Sequence, residues 1–144
     1  MGRFSRLVDL RKIREEADGL AYARILARIE TCRQKIRELE KETAQGHEMA
    51  CEEVAQGNAA GSSMYDDFFR GQKFRIKKLE DKISLAQVEA AAAQKVWLAS
   101  RTQLRQSESM AKKEEAHRQM EMRHDDNKEL DMIGIVQSRF RPLQ

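Results

Sequence analysis

The sequence is poor in residues that interrupt helices and in residues that fill a compact core. Its one proline is Pro142, and aromatic residues make up 6% of the 144 positions. Proline breaks a helix because it has no backbone N–H to donate, so nothing before Pro142 breaks one in this way. With few aromatic side chains to bury, the chain has little material for a thick, layered core.

Motifs that carry catalysis are also missing. The sequence has no glycine-rich phosphate loop with its lysine, no GxSxG and no HExxH. A pair of helices also lacks a concave pocket that could exclude water and orient charge around a substrate. We therefore expect no enzyme activity and no cofactor.

Two weak metal-ligand patterns are present. His117, Glu121 and His124 are spaced to share one helix face, and His47 lies four residues before Cys51. Each set is incomplete and would stand on an exposed helix. We favour ordinary exposed polar side chains and expect no metal.

Long apolar runs are absent, and cysteines are few. No segment approaches the roughly 20 apolar residues that span a bilayer, and Met1 to Leu10 lacks the apolar run of a secretory signal. Cys32 and Cys51 would lie about 28 Å apart on one straight helix, too far for a disulfide. We expect a cytoplasmic protein without direct membrane insertion.

Charge is abundant and balanced. Charged residues make up 35% of the chain, with 27 basic and 24 acidic residues and a net charge of +3. Interleaved signs are typical of a solvated helix surface, and without base-reading residues we expect no nucleic-acid partner. Two denser basic stretches are either solvated faces or docking surfaces for an acidic partner: Arg3, Arg6, Arg11, Lys12 and Arg14, and Lys73, Arg75, Lys77, Lys78 and Lys82.

The second half carries a sustained heptad pattern, in which small or apolar residues recur at alternating steps of three and four. These predicted seam residues are Ile76, Leu79, Ile83, Ala86, Ala90, Ala93, Trp97, Ser100, Leu104, Ser107 and Ala111. The alanines leave room for a bulky neighbour, whereas Trp97 fills much more space. The partner helix should therefore offer bulky residues opposite the alanines and a small residue opposite Trp97.

The first half offers such a partner. Its clearest seam is Ile25, Ile29, Cys32, Ile36 and Leu39, again at steps of four and three. A second set upstream is out of phase with the first and indicates a stutter or an 11-residue stretch; it is formed by Leu10, Ile13, Ala17 and Leu20.

Glycine, asparagine and serine interrupt the pattern between residues 56 and 63. Gly57 and Asn58 tolerate left-handed conformations that end a helix, and Ser62 or Ser63 can cap the next, with Asp66 and Asp67 in its first turn. The sequence predicts an all-α fold, a long antiparallel two-helix coiled-coil hairpin forming one domain over 1–144. We place helix 1 at about 4–56, the loop at 57–62, helix 2 at 63–137 and a tail at 138–144. The alternative is pairing of the same heptads between two chains.

Two further regions suggest contacts with partners. If the chain reverses near residue 60, the start of helix 1, at about residue 4, lies opposite residue ~116. About 20 residues of helix 2 then extend beyond helix 1. This overhang carries exposed apolar candidates, namely Met120, Met122, Leu130, Ile133, Ile135 and Val136. The aromatic group just past the loop either packs locally against Val54 and Met49 or forms an exposed docking tip; it comprises Tyr65, Phe68, Phe69 and Phe74.

Both ends of the chain resemble a known family. The start reads Arg3-Phe4-Ser5-Arg6-Leu7-Val8-Asp9-Leu10-Arg11 followed by Glu15-Glu16-Ala17, and the end reads Lys128-Glu129-Leu130-Asp131-Met132-Ile133 followed by Arg139-Phe140. These stretches resemble the FliJ family of bacterial flagellar export proteins. The Gly57–Ser63 loop and the alanine run have no counterpart that we can match to the family.

The resemblance implies a specific role. Proteins similar to FliJ are cytoplasmic parts of the flagellar type III export apparatus and look like the coiled coil of the rotary ATPase γ subunit. Their terminal end enters the export ATPase hexamer and promotes its assembly and activity. Another face contacts the cytoplasmic domain of the export gate protein at the inner membrane, and they assist export chaperones. The alternatives are a virulence type III secretion stalk protein and a generic dimeric structural coiled coil.

On this basis we expect partner contacts at the two chain ends. The candidate partner-binding residues are Arg3, Arg6, Arg11, Met120, Leu130, Ile133, Arg139 and Arg141.

Overall fold

The computed structural model describes residues 2–57 and 61–139. The chain forms helix α1 at Ser5–Ala55 and helix α2 at Ser62–Arg139, which pack against each other. Over the described residues 96% of positions are helical and no strand is present. The predicted all-α helical hairpin is confirmed.

The helices contribute to two compact units. The terminal unit comprises Met1–Glu16 and Ala99–Gln144, and the loop-end unit comprises Ala17–Leu98. Within each unit a segment of α1 packs on a segment of α2. Among the described residues, neither helix has a stretch that is apolar enough to cross a membrane.

Burial along α2 confirms the predicted seam. Every predicted position from Ile76 to Ala111 is buried or half-buried, and Arg101 is the one other residue in that stretch that is not exposed. Two of the most deeply buried positions are serines, Ser100 and Ser107. The seam is therefore set by the heptad spacing and not by the apolar character of each residue.

The expected match of side-chain sizes in the seam is also confirmed. Ile29 and Ala90 line one shared groove, and they are 5% and 7% exposed. Opposite Trp97 stands Gly19, where an added Cβ would lie 2.8 Å from the indole Nε1. Tyr22 stacks on the same indole with ring centroids 5.7 Å apart. Trp97 is thus accommodated because α1 has no side chain at position 19.

The predicted stutter in α1 is wrong. Leu10, Ile13, Ala17 and Leu20 are all exposed. Half-buried residues upstream of Ile25 instead include a series that continues its heptad pattern at steps of three and four. This series is Val8, Arg11, Glu15, Asp18 and Tyr22. In the terminal unit Arg11 Nη1 donates hydrogen bonds to the Gln103 carbonyl oxygen and to Ser107 Oγ. Cross-helix hydrogen bonding lets charged residues occupy seam positions that an apolar pattern would not identify.

The register of the loop-end unit is marked by a buried amide. Gln72 is 1% exposed, and its Nε2 donates to the Leu39 carbonyl oxygen at 3.4 Å and to Glu42 Oε2 at 3.3 Å. Its Oε1 accepts a hydrogen bond from Arg75 Nη1 at 3.1 Å. A buried polar seam residue favours the one alignment in which its partners are in place.

The predicted loop signals are only partly correct. Gly57 has a φ of +79°, in the left-handed region, and its N–H donates to the Val54 carbonyl oxygen at 3.0 Å. It ends α1 as predicted. Asn58 lies outside the described residues. Asp66 and Asp67 are not in the first turn of α2, because this helix begins at Ser62.

Replacing two helical glycines by alanine should have opposite effects. Alanine favours a helix interior over glycine by about 1 kcal/mol. Nothing lies within 4 Å of a Cβ added at Gly71, so Gly71→Ala should stabilise the protein by roughly 0.5–1 kcal/mol. Gly19→Ala should destabilise it by roughly 1–3 kcal/mol, because the new methyl group meets the rigid Trp97 ring. Urea unfolding followed by circular dichroism measures both changes. Equal stabilisation by the two substitutions would contradict the tight contact at Trp97.

Candidate partner-binding site

In the terminal unit, the start of α1 marks the last part of α2 that α1 covers. The backbone N–H groups of Arg3 and Phe4 donate to the Glu114 carboxylate, at 3.2 Å to Oε1 and 3.4 Å to Oε2. A carboxylate at this position also opposes the positive end of the α1 dipole. A Cβ added at Gly2 would lie 3.2 Å from Arg118 Nη2. The start of α1 therefore rests on the turn of α2 that contains Glu114 and Arg118.

Beyond this turn α2 continues without cover. Every residue from 119 to 139 is exposed, whereas seam positions Ala111, Glu114 and Arg118 are half-buried. We call residues 119–139 the overhang. At 1.5 Å per residue it is about 30 Å long. The predicted unpaired end of helix 2 is confirmed.

The overhang combines apolar and charged side chains. Leu130, Ile133 and Val136 follow one another at steps of three, so they neighbour each other on the helix surface. All three are about half exposed or more. Met132 adds further apolar area beside them. An uncovered apolar patch of this kind on a helix fits a protein partner.

The predicted basic residues occupy different environments. Arg3 and Arg6 are exposed, and the Arg3 guanidinium lies 5.0 Å from the centre of the Phe4 ring. Arg139 is exposed at the last residue of α2. Arg141 lies outside the described residues. Arg11 is half-buried, with its guanidinium bonded to Gln103 and Ser107 in the seam.

The candidates are therefore not one cluster. Arg3 and Arg6 stand at the start of α1, which contacts α2 at Glu114. Leu130 lies 16 residues further along α2 than Glu114, which is about 24 Å of helix. A partner that touches both groups must cover the start of α1 and most of the overhang.

Two interpretations of the aromatic group past the loop follow from the sequence, local packing or an exposed docking tip. Some of its residues are packed and others are exposed. Tyr65 and Phe69 are half-buried, whereas Phe68 and Phe74 are exposed. Phe69 stacks on His47 with ring centroids 3.9 Å apart. Gly46 is buried, and a Cβ added there would lie 2.7 Å from Phe68 Cε1. The sequence pattern did not predict that Gly46 or His47 packs against the aromatic group, because neither residue marks a coiled-coil seam.

An open groove of about 560 Å³ lies beside these rings, between Met49 on α1 and Met64 on α2, with Gly46, Tyr65 and Phe68 also in its wall. Val54 remains exposed. Desolvation raises the pKa of the Tyr65 hydroxyl above its usual value, and so do a hydrogen bond to Glu53 and the charges of Glu53 and Glu52.

The residues of the two weak metal-ligand patterns are exposed side chains on the helix surfaces. His117 Nε2 lies 3.0 Å from Glu121 Oε1 on the exposed surface of α2. Cys32 is half-buried in the α1 seam and Cys51 is exposed, and both are free thiols. Within the described part of the chain no group of three or more histidine, cysteine or acidic residues could hold a metal ion.

Arg11 and Arg6 should differ in their effect on stability. Arg11→Ala leaves the buried Ser107 hydroxyl without its charged donor and should lower the free energy of unfolding by about 1–3 kcal/mol. Arg6→Ala removes an exposed side chain and should change it by less than about 0.5 kcal/mol. Thermal unfolding of the two variants checks this difference. Equal losses would show that Arg11 does not hold the seam.

Comparison with known proteins identifies the family. Neither the curated proteins nor the solved structures give a match to this chain. A family model described as flagellar FliJ protein matches residues 1–141. This match covers nearly the whole chain, including both helices and the overhang. The chain therefore belongs to the FliJ family of flagellar proteins.

Proposed function

We propose that this member of the FliJ family is the non-enzymatic stalk of the flagellar export ATPase. Family membership makes the chain a flagellar export-related protein. In the proposed role its terminal unit enters the ATPase hexamer and promotes ring assembly and ATP hydrolysis. The overhang carries the principal contacts, with Met120, Leu130 and Ile133 as the apolar ones.

The observation that carries this proposal is the uncovered overhang. A coiled-coil helix normally covers its apolar stripe with a partner helix, and residues 119–139 have none within the described chain. An apolar helical surface flanked by Arg3, Arg6 and Arg139 could fill the hole of a ring with apolar and acidic residues on its wall. Arg141 is proposed to add to the same contact. Arg11 would contribute by fixing α1 on α2, since its guanidinium is bonded in the seam.

The remaining partners are proposed for other surfaces. The loop-end unit would contact the cytoplasmic domain of the export gate protein and so couple it to the ATPase. The protein would also assist export chaperones through contacts with the exposed surface of α2. In this arrangement the protein works in the cytoplasm beside the inner membrane at the flagellar base.

A generic dimeric coiled coil is less well supported. The heptad residues of α1 and α2 already cover one another within a single chain, for example Ile29 with Ala90. We expect light scattering of the free protein to give a monomer near 16.7 kDa. A stable dimer whose seam is formed between chains would contradict the hairpin stalk.

Charged substitutions in the overhang test the stalk role. Leu130→Asp with Ile133→Asp should abolish stimulation of the cognate export ATPase, because two exposed contact residues become charged. Each substitution should change the free energy of unfolding by less than about 0.5 kcal/mol, since neither residue is covered in the free protein. The measurement is the ATP hydrolysis rate and the ring fraction with each variant.

Leu20→Asp provides the matched control. Leu20 is an exposed residue of α1 and belongs neither to the seam nor to residues 119–139, so this variant should stimulate the ATPase as the unmodified chain does. If the overhang variant stimulates equally well, the proposed contact is wrong. If the unmodified chain itself changes neither ring assembly nor hydrolysis, the stalk role is wrong.

A further inference from the structure

The outer face of α2 in the loop-end unit combines cations with uncovered apolar side chains. Gln72, Ile76 and Leu79 face α1 in the seam. Successive helix residues turn by about 100°, so the residues between them project to the other side. We define the outer face by seven exposed residues on that side: Lys73, Phe74, Lys77, Lys78, Asp81, Leu85 and Val88.

The apolar members of this face are among the most exposed in the chain. Phe74 is 66% exposed, Leu85 69% and Val88 71%. Leu85 follows Phe74 by eleven residues, which is close to three whole turns of the helix. Val88 follows Leu85 by three residues and so neighbours it on the helix surface. Lys78 Nζ lies 5.8 Å from the centre of the Phe74 ring, so charge and apolar area adjoin directly.

The positive charge of this face is only partly neutralised. The segment from Arg70 to Lys82 contains six basic and two acidic residues. Lys77 lies 3.7 Å from Asp81, but among the described residues Lys73 and Lys78 form no ion pair. This segment is therefore a local excess of positive charge, as is the basic stretch at the start of α1.

We propose that the outer face of α2 binds the surface of an anionic phospholipid bilayer. Clusters of Lys and Arg on one helix face are attracted to anionic headgroups. Aromatic and aliphatic side chains of an amphipathic helix enter the boundary between headgroups and acyl chains. Both groups are present here on one helix face of about 22 Å from Lys73 to Val88.

A bilayer offers both kinds of contact that this face presents, phosphates for the lysines and an apolar boundary for Phe74 and Leu85. Its flat surface can cover the face along its full length. Lysine stems can lie along the lipid while their ammonium groups stay with the phosphates. The helix would lie along the membrane surface without spanning it. This contact does not require the chain ends to enter an ATPase ring.

Vesicle flotation tests the proposal with the full chain. The protein should float with phosphatidylcholine vesicles that contain phosphatidylglycerol, not with phosphatidylcholine alone, and high salt should weaken the binding. Lys73→Gln, Lys77→Gln and Lys78→Gln together should weaken binding by about tenfold or more, because each cation near an anionic surface contributes separately. Phe74→Ala should weaken it while the charge is unchanged.

Matched variants keep the result interpretable. Lys112→Gln with Lys113→Gln changes two exposed cations of the terminal unit and should leave flotation unchanged. Circular dichroism should show full helicity for the lysine and Phe74→Ala variants, because these side chains are exposed. A second readout is Phe74→Trp on a Trp97→Phe background, whose fluorescence should shift to the blue only with anionic vesicles.

Three results would overturn the proposal. The first is equal binding to neutral and anionic vesicles. The second is unchanged binding of the triple lysine variant. The third is binding to soluble polyglutamate as tight as to anionic vesicles, together with no effect of Phe74→Ala, which would assign the face to an acidic protein partner.

Discussion

Alternating steps of three and four residues hold α1 on α2 within each unit, and the other features depend on this spacing. The spacing decides which side chains are covered, even where they are polar. Ser100 and Ser107 are buried for this reason, whereas Leu10 and Ile13 are exposed. The hydrophobic effect favours association of the helices, but the geometry of the heptad determines which residues take part.

Within the seam, size and polarity fix the alignment. Gly19 is the small residue that Trp97 requires, and Ile29 fills the space that Ala90 leaves. Gln72 Nε2 donates across the helix pair to the Leu39 carbonyl oxygen and to Glu42 Oε2. Among the described residues no buried side-chain nitrogen or oxygen lacks a partner. These contacts oppose slippage of one helix along the other within the loop-end unit.

Much of this could be predicted from the sequence, and the exceptions have a physical cause. The α2 seam, the small residue opposite Trp97, the helix end at Gly57 and the overhang all follow from spacing and residue size. The upstream part of α1 was misread because Arg11 occupies a seam position, where hydrogen bonding to Ser107 replaces apolar contact. Glu114 at the start of α1 and Gly46 under Phe68 depend on contacts between helices, which no local pattern contains.

The proposed function depends on the surface that the two helices leave uncovered. Residues 119–139 lie beyond the cover of α1, and the proposed stalk role depends on a partner covering them. Hydrogen exchange with and without the cognate export ATPase is the most direct test. The seam segments 76–111 should exchange slowly in the free protein, and residues 119–139 should exchange quickly and become slow when the ATPase is added. Slow exchange of residues 119–139 in the free protein, or no change on adding the ATPase, would contradict the account.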